Sequence, residues 1–148
     1  MRRFLKILVI AIILYPSFLL GEEKLLTILH TSDLHSHLLG FSPNIDYTPL
    51  KTGDDSTVGG WARIAAVLKS EKSKRVNPTL VLDAGDFLMG SLFHMVAREE
   101  GLELRLMKEM GYDVVTFGNH EFDLAPQGLA RILTSASQKG GMPEIVFS

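Results

Sequence analysis

Residues Val114–Asp123 read VVTFGNHEFD, an apolar run closed by a glycine, then an amide, an imidazole and two carboxylates within five residues. The same order occurs twice earlier: Leu25–Leu29 runs into HTSDLH, and Thr79–Leu82 into DAGD. These apolar runs read as buried strands. Between them, Gly60–Ser73 carries Trp61, Ile64, Ala65, Val67 and Leu68 at helical spacing. Leu92–Met110, broken near Gly101, and Pro126–Gln138, stopped by Gly140-Gly141, read as further helices. A fourth strand is expected in PEIVFS, where the chain ends so abruptly that it reads as cut. Alternating strands and helices predict an α/β fold, a mostly parallel sheet with flanking helices. In such a sheet the three polar clusters share the carboxyl edge, where open α/β sheets bind ligands. Gly40–Gly59, with Pro43, Pro49, Gly53 and Asp54-Asp55, reads as a long surface loop.

The chain of 148 residues is long enough for one domain, and its net charge of −2 with scattered basic residues argues against nucleic-acid binding. It has no cysteine, so a metal would be held by imidazole, amide and carboxylate groups, without thiolate. Arg2, Arg3 and Lys6 precede the apolar stretch Ile7–Leu20, interrupted by Pro16 and followed by Gly21 and Glu22. This is the layout of a secretory signal peptide over residues 1–21, implying a secreted or periplasmic protein. An uncleaved N-terminal anchor is the alternative, and only then would a membrane be a partner.

Asp33 and His35 alternate across Leu34, so an extended segment would aim both at one ion. Asp86 and Asn119 each follow a glycine, which lets the backbone turn tightly. Such ligands suit manganese, zinc, iron, cobalt or magnesium without choosing among them. Two divalent ions about 3.5–4 Å apart repel by roughly 4–5 kcal/mol even in water, so a bridging anion is required. Asp86 is the candidate bridge, with a hydroxide as the second. His120 is placed to stabilise charge or donate a proton, and Asp123 to orient its ring or to cap a helix. Glu121 is expected to face away and make a local hydrogen bond. Of the remaining histidines, His30 reads as structural, His37 as rim or solvent, and His94 as packing or surface.

ILHTSDLHSHL, GGWARIAAVLK, VLDAGDFLMGSLF and MGYDVVTFGNHEFD resemble the opening motifs of the calcineurin-like metallophosphoesterases, specifically their secreted 5′-nucleotidase branch. The resemblance implies the N-terminal half of a four-layer α/β/β/α sandwich, two divalent metal ions, and hydrolysis of small phosphate esters, nucleotides foremost, by a metal-bridging hydroxide. It implies Asp33, His35 and Asp86 on the first ion, Asp86 and Asn119 on the second, and His120 with Asp123 as the catalytic dyad. The family completes this site with later histidines, and no histidine follows His120 here. Residues 22–148 are therefore expected to be the N-terminal portion of a truncated domain that needs its C-terminal half, with the sheet face that should meet the second sheet exposed. The alternatives are a non-catalytic fragment, or a relative acting on cyclic nucleotides or another small phospho or sulfo ester.

Overall fold

The computed structural model of the chain describes residues 23–40 and 57–147. The expected signal peptide and most of the Gly40–Gly59 loop, with Asp54-Asp55, lie outside them. Among the described residues, β1 (Thr27–Thr31), β2 (Thr79–Asp83), β3 (Val114–Val115) and β4 (Glu144–Ile145) form one sheet in the order β1-β2-β3-β4, every pair parallel. Helix α1 (Trp61–Ser73) links β1 to β2. A 3-10 turn (Leu92–Val96), α2 (Ala97–Glu100) and α3 (Leu102–Met110) link β2 to β3, and α4 (Ala125–Lys139) links β3 to β4. This is the expected mostly parallel sheet with flanking helices. A sheet whose parallel neighbours follow in sequence, each joined by a right-handed crossover, carries its helices on one face.

Register separates the two faces of the sheet. Leu29 pairs with Val81, and Asp83 with Val115; Val81, Asp83 and Val115 are buried. Ile28, His30 and Leu80, one residue out of phase, are exposed. The strands are therefore buried on one face among the described residues, and the face expected to meet a second sheet is open. His30, read as a structural histidine, stands on the open face.

The covered face is closed by Trp61 and Leu68 of α1, Leu104 and Met107 of α3, and Ile132 and Ala136 of α4, packed with Val81, Phe87, Tyr112 and Val115. Each fully buried large apolar side chain contributes about 1.5–3 kcal/mol. Gly101 separates α2 from α3 at a φ of 55°, and a Cβ there would stand 2.4 Å from the Ala136 nitrogen. The break thus answers both a left-handed turn and the close passage of α4. The expected helix over Leu92–Met110 is in three pieces because its first turn stays 3-10.

Candidate metal centre

The segments after β1, β2 and β3 meet at the carboxyl edge. Asp33, His35 and Ser36 have φ of 57°, 46° and 50°, and Asp86 has 56°. Left-handed backbone at a non-glycine residue costs about 1–3 kcal/mol and persists only where the surroundings enforce it. Here the enforcement is a backbone ladder. The N–H groups of Asp33, His35 and Ser36 donate to the carbonyls of Gly85, Asp86 and Phe87 at 3.0, 3.0 and 2.9 Å. Asp33 and His35 therefore approach through a turn and not by strand alternation, with His35 Nε2 3.7 Å from Asp33 Oδ1.

One ligand atom each from His35, Asp86 and His120 lies within 4.8 Å of the others. Asp33, whose side chain is 63 % exposed, lies beside His35 outside that triad. His35 Nδ1 is 3.2 Å from the Leu88 carbonyl, which only accepts, so Nδ1 is the donor there and Nε2 is the nitrogen left to meet an ion. The two imidazoles stand edge to face with centroids 5.1 Å apart. His120 donates its backbone N–H to Asp86 Oδ1 at 2.9 Å, and its Nδ1 lies 2.6 Å from Asp123 Oδ2. That hydrogen bond is the largest cause of the raised His120 pKa. Asp123 is engaged with the ring it was expected to orient; the residue at the N-cap of α4 is Leu124.

The Asn119 carboxamide stands beside this triad, donating to Asp86 Oδ2 at 3.3 Å and accepting from the His120 N–H at 3.3 Å. The donor set of imidazole, carboxylate and amide oxygen fits a divalent ion of the kind expected.

Glycine brings the loops this close. A Cβ on Gly85, whose φ is 98°, would lie 2.3 Å from the Gly118 nitrogen, and one on Gly118 would lie 2.2 Å from Asp86 Oδ1. Gly118 was expected to allow a tight turn; it allows close approach instead.

Three buried carboxylates support the loops. Glu121, expected to bond locally, lies fully buried in a 3-10 turn (His120–Phe122). It accepts the N–H groups of Asp86, Leu88 and Gly118 at 2.9, 3.0 and 2.7 Å, tying the second loop to the third. Asp83 accepts from the Thr31 hydroxyl at 2.6 Å and the Gly85 N–H at 3.0 Å. Burial pushes its carboxyl pKa up. Glu103, on α3, accepts from the Ser36 hydroxyl at 2.8 Å, and burial raises its pKa too. Sequence reading missed Glu103 altogether, and the only signal was a charged residue inside the apolar spacing of LELRLM. His37 is exposed at the rim near Gly90, and half-buried His94 turns Nδ1 to the Ser91 carbonyl.

The family model for calcineurin-like phosphoesterases matches residues 26–146. The chain belongs to that family. It is 37 % identical to bovine 5′-nucleotidase over 135 residues, which are 84 % of this chain and 20 % of the bovine protein. The solved 5′-nucleotidase precursor of Thermus thermophilus superposes with a TM-score of 0.63 at 34 % identity, over 82 % of this chain and 21 % of that one. The NAD nucleotidase of Haemophilus influenzae gives 0.63 at 26 % identity, over 82 % and 20 %. The chain thus spans about a fifth of the length of these relatives. Calcineurin-like phosphoesterases use divalent metals, in keeping with the donors gathered at this edge.

Proposed function

We propose that this phosphoesterase chain supplies the first part of a dimetal site that hydrolyses phosphate monoesters of nucleotides. The observation that carries the reading is the meeting of His35, Asp86, Asn119 and His120 at one edge. Asp33, His35 and Asp86 would hold one ion, and Asp86 with Asn119 the other. Bound divalent ions supply positive charge against the phosphate oxygens and a water acidified enough to attack at neutral pH. His35 presents Nε2 because Leu88 occupies its other nitrogen. His120, held by Asp123, keeps a protonated ring beside the departing oxygen, where it stabilises charge and donates the proton. Nucleotides are the proposed substrate class because bovine 5′-nucleotidase and the Haemophilus NAD nucleotidase are among the relatives.

The test is phosphate release from adenosine monophosphate, with manganese added, by the protein and its Asp86→Ala and His120→Ala variants. We expect Asp86→Ala to abolish turnover and His120→Ala to lower kcat roughly 10²–10⁴-fold. Equal turnover by all three, above the uncatalysed rate, would overturn the reading.

We further propose that residues 1–21 are a signal peptide and that residues 22–148 form the N-terminal portion of the phosphoesterase domain. The basic, apolar and small-residue order supports export. A mature N-terminus at Glu22, read by mass spectrometry after expression in an exporting host, is the expected result, and retained Met1 would favour an anchor.

A further inference from the structure

Glu103 lies fully buried near the start of α3, and nothing in the proposed chemistry uses it. One carboxylate oxygen accepts from the Ser36 hydroxyl; the other, Oε2, is buried without a hydrogen-bond partner. Buried polar atoms are rarely left in that state, and each such atom calls for an explanation. Packing supplies none, since a leucine would fill the same space without a charge to desolvate. What sets Glu103 apart is its one partner. Ser36 follows His35 directly, is itself fully buried, and holds a φ of 50°.

Ser36 is fastened on three sides. Its N–H donates to the Phe87 carbonyl at 2.9 Å, its carbonyl accepts from the Ser91 hydroxyl, and its own hydroxyl reaches Glu103. The Phe87 carbonyl competes for that hydroxyl proton only at 3.5 Å, so Glu103 takes it at 2.8 Å. A hydrogen bond to a carboxylate is shorter and stronger than one to a neutral acceptor. Among these ties, the one to Glu103 is the link from the left-handed turn to the helical layer of the core. His35, one residue away, has its ring fixed at Nδ1 by Leu88, so the position of its Nε2 follows the position of this turn.

We propose that Glu103 is a positioning residue for His35, acting through the Ser36 hydroxyl to hold the imidazole Nε2 toward the ion. This rests on the metal-site reading above. Outer partners that orient a ligand typically affect metal affinity 10–100-fold when removed. Glu103→Leu removes the acceptor and the buried charge together. It should weaken manganese binding by about that factor while leaving the thermal unfolding midpoint unchanged or higher.

The experiment is a Mn²⁺ titration of the metal-free protein, followed by electron paramagnetic resonance, on the unmodified chain and on Asp86→Ala, Ser36→Ala, Glu103→Leu and Glu103→Gln. Ser36→Ala should match Glu103→Leu, and the double variant should lose no more than either alone, because both remove one link. Glu103→Gln, which keeps an acceptor for the hydroxyl, should bind manganese within about threefold of the unmodified chain. If Glu103→Leu and Ser36→Ala bind as the unmodified chain does while Asp86→Ala has lost the ion, the positioning role is overturned and the metal site stands. Should Asp86→Ala also bind normally, the metal-site reading itself is overturned.

Discussion

His120 is tied at two points, its backbone N–H to Asp86 and its ring to Asp123, so its far ring nitrogen has little freedom. Asp123 also stabilises the imidazolium and raises the pKa above the ordinary 6.5. Asp123→Asn removes the negative charge, and the His120 midpoint in the metal-free protein should fall toward that ordinary value. Imidazole NMR across a pH series measures it; an unmoved midpoint would mean that the hydrogen bond to Asp123 does not set the ring's charge. At this scale the candidate residues were legible because Asp33, His35, Asp86, Asn119, His120 and Asp123 each follow a strand end in a chemically active type. Glu121 and Glu103 were not. A buried carboxylate looks like a solvated one in sequence, and only the backbone N–H groups or hydroxyl it meets tell them apart.

The three loops at the carboxyl edge pack as a unit because glycine lets them touch. Gly118→Ala places a methyl carbon against the Asp86 carboxylate, which must shift or push the third loop outward. Crowding of this kind costs about 1–3 kcal/mol. We expect a lower unfolding midpoint and a loss of manganese affinity larger than that of an alanine at exposed Glu144, measured by calorimetry on both variants. Equal affinity in the two would show that the contact is dispensable. Element boundaries were less legible than the motifs. Pairing of β1 starts at Thr27, not Leu25, because its register begins opposite Thr79 and its first ladder bond runs from Thr27 N–H to the Pro78 carbonyl. Leu25 and Leu26 stay apolar outside the strand. β3 stops at Val115, two residues before the apolar run ends, because the chain then turns to meet Gly85.

Over the whole molecule, the parallel order and the convergence of three loops were legible from the spacing of apolar runs, and the open sheet face from reading the chain as half of a sandwich. An apolar strand residue looks the same whether or not a second layer covers it, and Leu25, Leu26, Ile28, Val146 and Phe147 are all more than half exposed. The buried carboxylates also give the fold a pH dependence. Asp83 and Glu103 both have pKa values raised by burial from ordinary values of 3.8 and 4.5. Below those ordinary values both are protonated in folded and unfolded chains alike, and their contribution to stability is fully present. As pH rises through the raised folded-state values, the unfolded chain releases protons first and that contribution is lost. Unfolding midpoints of the metal-free protein should therefore fall as pH rises above these ordinary carboxyl values and through the raised ones, and Glu103→Gln should flatten the decline. An unchanged slope in Glu103→Gln would show that this carboxyl is not the source.

The proposed chemistry depends on a metal centre built on Asp86 at the carboxyl edge of the sheet. Crystals of the protein grown with manganese, measured near the manganese absorption edge, test it most directly. Two anomalous peaks about 3.5–4 Å apart are expected, both within reach of Asp86, one beside His35 and the other beside Asn119. Peaks only elsewhere, or none within coordination distance of Asp86, would contradict it.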